Sequence, residues 1–519
     1  MKRRDFLKTV SAAAASLTLG GCLKPQNITF QKDTLPNIVL IMADDMGYGD
    51  VGCYNPDSKI PTPNMDKLAS QGIRFTDAHS PSAVCTPTRY GVLTGQYCWR
   101  TRLKQGVIGG YSRPLIENSR LTLASMLKQQ GYATACIGKW HIGSNFQDKD
   151  GKPTTREDQV DFSKPITGGP NALGFDYAWF NAGCGTVAPP YGFIENDRFV
   201  DSAFSFFDNK KSHPMENNGM MAKNWQSKDA DVIIAGKACD YIKEKSQEDK
   251  PFFLYLTPNA PHEPCVDELV PEFARGQSAA GARGDLVWLF DWTVGEVVKT
   301  LKKNGQAENT LLIVTSDNGA LAGTFVYDEN GRRVASGNRN FHFNRYDHKS
   351  CGDFRGNKAH IWEGGHREPL IASWPGLISA GEVSDRLACL TDFMATCADI
   401  TNFDIPDNAG EDSYSILPVL LGDKSTAGKP IRKAIVHHSS FGVFAIREGK
   451  WKLILETKGS GGWPTPRDKH PQPGTPGQLY DIFADPSEEN DLWSQHPDIV
   501  ARLTKLLNHY KSTGRSTPI

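Results

Sequence analysis

The amino-acid sequence predicts an α/β fold in which helices flank a large, mostly parallel sheet, followed by a smaller C-terminal α+β domain. The first observation behind this prediction is the alternation of continuous apolar runs, such as NIVLIM at residues 37–42, with helical patterns. Strands buried on both faces of a parallel sheet have this composition. The second observation is a change of texture after residue 425, where short alternating segments follow one another. We therefore predict one domain over residues 35–425 and a second over residues 426–519.

Four apolar runs of the first domain are predicted as strands, and each is followed by polar residues. The runs cover residues 37–42, 132–138, 251–257 and 310–315. The polar residues after them are Asp44, Asp45, Lys139, His141, His262, Asp317 and Asn318. Ligands of α/β sheets bind outside the carboxyl ends of the strands, so these residues are expected to share one site.

Helical patterns separate the strands and close the chain. Residues 122–131 and 285–305 show apolar periodicity, and the second pattern ends with lysines and a glycine, as helix C-termini do. In the second domain, KAIVHH, GVFAIREGKWKLIL and GQLYDIF predict antiparallel strands. Residues 497–514 predict a terminal helix.

The first 22 residues predict an export signal, with a basic start, a short apolar run and small residues before Cys22. Arg3 and Arg4 resemble a bacterial twin-arginine signal, and LGGC at residues 19–22 resembles a lipoprotein processing site. We expect an exported bacterial protein, either periplasmic or anchored at the outer membrane or cell surface by a lipid on Cys22. An ordinary signal peptide with a chance cysteine is the alternative. No later segment is apolar enough for a transmembrane helix.

Overall charge and cysteine spacing exclude some classes of function. The sequence has 58 Lys and Arg residues and 59 Asp and Glu residues, for a net charge of −1. It therefore offers no global attraction for nucleic acid or anionic membranes, and any anionic substrate must be recognised locally. Apart from Cys22 and Cys85, the cysteines are scattered without CxxC pairs, which argues against a zinc cluster. Most are expected to be buried thiols, and one or two disulfide bonds are an alternative in an oxidising compartment.

Cys85 is predicted to lie at the start of a helix. Thr86 is a good N-cap residue, and Pro87 suits the first helical position. A helix N-terminus favours an anion through its unpaired N–H groups and dipole, and Arg89, one turn on, can offer a guanidinium fork to oxyanions. A plain alternative is a buried cysteine beside a surface arginine.

The segment Cys85-Thr86-Pro87-Thr88-Arg89, followed by LTG at residues 93–95, resembles the signature of type I sulfatases in the alkaline phosphatase superfamily. The resemblance covers nearly all the chain from residue 37 onwards. It implies an alkaline phosphatase-like sheet. It also implies that a maturation enzyme oxidises Cys85 to formylglycine, whose hydrated aldehyde is the nucleophile.

The same resemblance assigns roles to residues elsewhere in the sequence. The implied ligands of a divalent cation, Ca²⁺ or alternatively Mg²⁺, are Asp44, Asp45, Asp317, Asn318 and the modified Cys85. Such oxygen ligands suit hard cations. The implied catalytic residues are Cys85, Arg89, Lys139, His141, His262 and Lys358. Among these, Lys139, His262 and Lys358 would also bind the substrate, and His262 would serve the leaving group.

The implied substrate is a sulfated carbohydrate, with galactose and N-acetylgalactosamine 6-sulfates as the expected class. Aromatic loops, including WFNAGCGTVAPPYGF and the YCWRTRLKQGVIGGYSRPLI segment after the signature, could line a sugar pocket. His366 is interpreted as structural, and His360 has no assigned role. Two alternatives stay open: a phosphonate monoester or phosphodiester hydrolase of the same superfamily, and a catalytically inactive, carbohydrate-binding surface lipoprotein.

Overall fold

The structure is a computed structural model. It describes residues 35–208, 217–321, 326–327, 333–334, 346–426, 428–455, 459–463 and 475–518. The predicted signal over residues 1–22, with Cys22, lies outside the described residues. Within them, no helix is both long enough and apolar enough to cross a bilayer.

A ten-stranded sheet forms the centre of the molecule. Its strands, in chain order, are β1 (Asn37–Ala43), β2 (Ile73–Phe75), β3 (Ala133–Lys139), β4 (Tyr177–Asn181), β5 (Ile194–Glu195), β6 (Arg198–Phe199), β7 (Phe252–Thr257), β8 (Thr310–Ser316), β9 (Leu370–Ser373) and β10 (Glu382–Ser384). They lie side by side in the order β10-β2-β9-β8-β1-β7-β3-β4-β5-β6. The five neighbours from β8 to β4 all run parallel, which confirms the mostly parallel sheet.

The four predicted strands are the four adjacent strands β8, β1, β7 and β3. In their register, Ala43 lies beside Ser316 and Ile41 beside Leu256. The carboxyl ends of these strands therefore meet at one edge of the sheet, which brings the residues that follow β1 and β8 together.

Two apolar layers cover the two faces of the sheet. Along β1, Ile38, Leu40 and Met42 point into one layer, whereas Val39 and Ile41 point into the other. Such alternation follows from the two-residue period of a strand. Full burial of an apolar side chain of this size contributes about 1.5–3 kcal/mol.

Eight helices complete the described part of the chain. They are α1 (Pro63–Ser70), α2 (Cys85–Thr94), α3 (Leu123–Gln129), α4 (Ala230–Lys245), α5 (Gly281–Lys303), α6 (Phe393–Thr401), α7 (Leu417–Leu420) and α8 (Pro497–Thr513). Helices α1, α4 and α5 contribute to the layer that contains Val39. Helices α2, α3, α6 and α7 contribute to the layer that contains Leu40.

A separate four-stranded antiparallel sheet lies in the C-terminal part of the chain, as predicted. It comprises β11 (Ile435–His438), β12 (Phe444–Glu448), β13 (Trp451–Leu455) and β14 (Gly477–Asp481), paired in that order. Leu503 and Leu507 of α8 pack with Ile446 and Leu453 of this sheet. The boundary at residues 425 and 426 stays a prediction.

Four two-stranded sheets complete the described strands. They pair Ala78–His79 with Ala388–Cys389, Phe146–Gln147 with Pro153–Thr154, Phe204–Phe207 with Gly219–Ala222, and Val326–Tyr327 with Arg333–Val334. The ten cysteines that the structure describes are all free thiols, so no disulfide forms among them.

Candidate active site

The residue at the centre of the site is Cys85, the first residue of α2. Val84 before it is extended (φ −146°, ψ 156°) and is the N-cap residue. The prediction that Thr86 caps the helix is wrong, because its hydroxyl instead donates to the His141 carbonyl at 3.1 Å. Pro87 is tolerated within the first turn because the first four N–H groups of a helix have no intrahelical acceptor.

Carboxylates from the ends of β1 and β8 surround Cys85. The Cys85 Sγ atom and carboxylate oxygens of Asp44 and Asp317 all lie within 4.8 Å of one another. Burial raises the pKa of the Cys85 thiol to about 11. An unmodified thiol at this position would therefore be protonated at neutral pH and would be a poor nucleophile.

The site contains two buried oxygens that suit a cation. Asp44 Oδ1 and Asn318 Oδ1 have no hydrogen-bond partner among the described residues. Buried polar atoms normally have partners, so two orphaned acceptors among the residues of this site call for a ligand. Asp45 Oδ1 accepts a bond from Asn318 Nδ2 at 2.8 Å, and the Asp45 N–H donates to Asp317 Oδ1 at 3.3 Å. Carboxylate and amide oxygens are the donors that Ca²⁺ and Mg²⁺ prefer, so this group fits a hard divalent cation.

Three buried cations compensate the carboxylates. Arg89 donates to Asp317 Oδ2 through Nε at 3.0 Å and Nη2 at 2.7 Å, and its Nη1 donates to the Lys139 carbonyl at 3.0 Å. Lys139 Nζ contacts Asp44 Oδ2. The expected guanidinium fork is thus engaged within the protein, and Arg89 orients Asp317.

Lys358 contacts Asp45 and His262. Its Nζ atom is 2.7 Å from Asp45 Oδ2 and 3.1 Å from His262 Nε2. Burial lowers the pKa values of Lys358 and Lys139, but Asp45 and Asp44 outweigh burial and raise both. Both ammonium groups therefore stay charged although their side chains are buried.

Two histidines face the site with opposite pKa shifts. His141 Nδ1 is 3.3 Å from Cys85 Sγ, and its Nε2 is 2.7 Å from the Ile108 carbonyl. Burial, with the charges of Lys139 and Arg89, holds the pKa of His141 well below its usual range. Because the Ile108 carbonyl requires a proton on Nε2, the lone pair of Nδ1 faces residue 85.

His262 shows the reverse behaviour. Burial lowers its pKa, but the negative charges of the Cys184 thiolate and of the Asp45 and Asp44 carboxylates outweigh burial and raise the pKa to about 9. Its Nδ1 lies 2.9 Å from the Glu263 carbonyl, so Nε2 faces the site. Paired groups with opposite shifts are the usual arrangement of a base and an acid.

Two residues, Cys184 and Asp231, received no role in the sequence analysis. Cys184 Sγ lies within 4.8 Å of ligand atoms of Asp44 and His262. Asp231 accepts hydrogen bonds at 2.7 and 3.2 Å from Asn259, which follows β7. The position of Cys184 shortly after strand β4 was the available signal, whereas Asp231 lies in helix α4 and carried none.

The backbone is strained at two positions of the site. Asp45 (φ 70°) and His141 (φ 54°) are non-glycine residues in the left-handed region, which costs about 1–3 kcal/mol each. These residues follow β1 and β3, and the strained turns place the Asp45 side chain against Lys358 and the His141 ring against Cys85.

The structure places His366 and His360 outside this group. His366 lies in a second buried cluster, where its Nδ1 is 3.1 Å from His79 Nδ1. His360 Nε2 lies 2.9 Å from the Trp463 carbonyl. The residues that the sequence analysis assigned to the metal and to catalysis all converge, namely Asp44, Asp45, Cys85, Arg89, Lys139, His141, His262, Asp317, Asn318 and Lys358.

The comparisons with known proteins agree on one family. The sulfatase family model matches residues 36–403. An N-acetylgalactosamine-6-O-sulfatase of Bacteroides thetaiotaomicron is 34% identical over 552 aligned positions, which cover 99% of this chain and 100% of the relative. Human arylsulfatase A is 32% identical and is covered to 83%, with 88% of this chain aligned.

A solved structure described in connection with the metabolism of multiple glycosaminoglycans by Bacteroides thetaiotaomicron has the same fold. It superposes with a TM-score of 0.79 and 31% identity, covering 92% of this chain and 100% of that one. The chain therefore belongs to the sulfatase family of the alkaline phosphatase superfamily, and it is a sulfuric ester hydrolase.

Proposed function

We propose that this enzyme hydrolyses the sulfate ester of a sulfated carbohydrate, with N-acetylgalactosamine or galactose 6-sulfate as the substrate class. Its nucleophile would be a formylglycine that a maturation enzyme forms from Cys85. The observation that carries the proposal is the convergence of Cys85 with buried carboxylates and ammonium groups at one edge of the sheet. The sugar class rests on the relative that is named an N-acetylgalactosamine-6-O-sulfatase and matches along its whole length.

Sulfatases generally use a divalent metal together with formylglycine. Here Asp44, Asp45, Asp317, Asn318 and the oxidised residue 85 would hold the cation, which we propose to be Ca²⁺, with Mg²⁺ as the alternative. When bound, the cation would supply positive charge that favours the ionised diol and balances the sulfate oxygens.

The two lysines would contact the nonbridging sulfate oxygens. Lys139 contacts Asp44, Lys358 contacts Asp45, and both lysine side chains are buried. Donors fixed in this way need no reorganisation when charge shifts during the reaction, and this preorganisation is usually the largest single catalytic effect. Arg89 would act through Asp317 by holding that ligand in place.

The two histidines would divide the proton transfers. Attack by one diol oxygen forms a new S–O bond, and the electron pair of the cleaved S–O bond leaves with the sugar oxygen. His262 would protonate that oxygen from Nε2. His141 would then remove the proton of the second hydroxyl through Nδ1, so that the C–O bond to sulfate breaks and the aldehyde re-forms. A serine or cysteine ester has no second hydroxyl for this elimination.

Two measurements test the proposal. The peptide that contains residue 85 should be lighter than its cysteine form by about 18 Da, because oxidation of the thiol to an aldehyde changes its atomic composition by that mass. The purified enzyme should release sulfate from N-acetylgalactosamine 6-sulfate, and C85A should not. The variant C239A replaces a half-buried free cysteine of α4 and should retain activity.

Faster turnover of a phosphodiester than of every sulfated sugar would contradict the proposal. An unmodified Cys85 without activity would favour the inactive carbohydrate-binding alternative instead.

We also propose that the protein works outside the cytoplasm of a bacterium as a lipoprotein. The twin-arginine-like start and the cysteine at position 22 support this location. Replacing Cys22 with Ser should release the protein from the membrane fraction. Retention of C22S in that fraction would count against the lipid anchor.

A further inference from the structure

An open cavity of about 660 Å³ lies beside the active site. Its lining includes Arg102, Ile108, Tyr111, Arg113 and Glu157, and we call it the arginine cavity. Its volume is in the range of carbohydrate and cofactor sites. None of the catalytic residues assigned above lines it.

One wall of the arginine cavity is joined directly to the catalytic group. The Ile108 carbonyl is 2.7 Å from His141 Nε2, and Nδ1 of the same ring is 3.3 Å from Cys85 Sγ. The Ile108 N–H also lies 3.4 Å from Thr86 Oγ1, one residue beyond Cys85. The cavity therefore begins one side chain away from the reacting residue.

The opposite wall of the arginine cavity also begins near the catalytic residues. Residues 187–189 line the cavity and follow Cys184, whose thiol lies beside His262. Between them, Thr186 Oγ1 donates to the Glu263 carbonyl at 2.5 Å. The two walls meet where Gly110 packs against the Pro189 carbonyl, so a substrate whose sulfate reaches residue 85 would extend its next sugar past this contact and into the cavity.

Positive charge exceeds negative charge in the lining of the arginine cavity, which contains Arg102 and Arg113 but one acidic residue, Glu157. Arg102 is fixed by bonds of 2.8 Å to the carbonyls of Pro114 and Arg113. The exposed Arg113 side chain has no hydrogen bond or ion pair with any residue that the structure describes. One oxygen of Glu157, Oε1, is engaged, since it accepts from the Tyr111 hydroxyl at 3.1 Å and from a backbone N–H at 2.5 Å.

We propose that the arginine cavity binds an oxyanion on the sugar joined to the sulfated residue, either a hexuronate carboxylate or a second sulfate ester. Planar guanidinium groups match both anions through paired hydrogen bonds. The inference rests on the proposed function and narrows its substrate to an anionic oligosaccharide. An isolated sulfated monosaccharide would leave this cavity empty.

Binding to the C85A variant tests the inference without turnover. Calorimetry would compare a 6-sulfated hexosamine joined to a hexuronate, the same disaccharide with its carboxyl reduced to an alcohol, and one whose neutral second sugar carries a sulfate. We expect at least one anionic disaccharide to bind about 10- to 100-fold more tightly than the reduced one, since hydrogen bonds to charged groups have this strength. The arm that binds tightly identifies the anion.

Arginine variants test whether Arg113 causes the preference for an anionic disaccharide. Adding R113A should remove most of the preference, and R113K should keep part of it, because lysine retains the charge but not the fork. R502A, which replaces an exposed arginine of α8, should keep the full preference. Equal binding of all three disaccharides, or an undiminished preference in R113A, would overturn the inference. Turnover of N-acetylgalactosamine 6-sulfate by the unsubstituted enzyme decides the proposed function separately.

Discussion

Replacing His262 with Ala should separate substrates according to their leaving groups. His262 Nδ1 is committed to the Glu263 carbonyl at 2.9 Å, so one nitrogen, Nε2, can deliver a proton to the site. An aliphatic sugar hydroxyl is a strongly basic leaving group and needs that proton. The weakly basic 4-nitrophenolate can leave without it.

The expected loss in kcat/KM follows from the contribution of general acid catalysis. General acid catalysis contributes about 10²- to 10⁴-fold, or about 3–5.5 kcal/mol at 1.36 kcal/mol for each factor of ten. The variant also removes the neighbour of Lys358, whose Nζ lies 3.1 Å from His262 Nε2. That second loss affects both substrates alike, so the ratio of the two losses isolates the proton transfer.

The assay compares kcat/KM for a sugar 6-sulfate and for 4-nitrophenyl sulfate in the unsubstituted enzyme and in H262A. We expect a loss of about 10²- to 10⁴-fold on the sugar ester and of about tenfold or less on the aryl ester. Circular dichroism and thermal unfolding would confirm that the variant is folded. Equal losses on both esters would refute the assignment of His262 as the general acid.

Three further predictions concern the metal, the C-terminal sheet and pH. Dialysis against EDTA should abolish activity and lower the Tm, and Ca²⁺ should restore both in the unsubstituted enzyme but not in D44N. A cation at 100 times its Kd stabilises the folded protein by about 2.7 kcal/mol. Activity that survives complete chelation would contradict the metal site. D77A leaves the buried Arg447, which is 2.7 Å from each Asp77 oxygen, without its main partner. Urea unfolding should show that the free energy of unfolding falls by about 3–5 kcal/mol. An unchanged urea midpoint would disprove the role of this pair. Burial raises the pKa of Asp291 from 3.8 to about 6. Between these pH values the folded protein holds a proton on Asp291 that the unfolded chain has lost, so the free energy of unfolding falls as the pH rises. D291N should flatten that part of the plot of unfolding free energy against pH, and an unaltered slope would argue against the shift.

The parallel strands could be predicted because short apolar segments of the sequence indicate their burial. NIVLIM and TLLIVT are continuous apolar runs, and both became central strands with fully buried residues. The polar residues that end these runs could be grouped because parallel strands share one carboxyl edge. Their burial could not be foreseen, since a buried aspartate depends on partners such as Arg89 and Lys358 that lie far along the chain.

The contacts between the C-terminal sheet and the rest of the chain show the same limit. Lys452 and Arg447 sit in strands whose sequence suggests exposed charges, yet both are fully buried. Lys452 pairs with Glu363 at 3.1 Å and with Glu488 at 2.8 Å, and Arg447 pairs with Asp77. Propensity and periodicity describe near neighbours, whereas these pairs join segments that are 36 to 370 residues apart. Sequence patterns therefore predicted the sheet but not what holds it against the catalytic region.

The charges of the site attract an anionic ester but do not by themselves choose between sulfate and phosphate. Arg89, Lys139 and Lys358 pair with the carboxylates of Asp317, Asp44 and Asp45, and a divalent cation would add two positive charges. His262, whose pKa is raised to about 9, and Cys184, whose pKa is lowered to about 7, also contribute to the charge of the site near neutral pH. The total therefore does not single out a monoanion over a dianion. Selection between sulfate and phosphate esters must come from the shape of the site around the leaving group, where the second ester arm of a phosphodiester would approach His262.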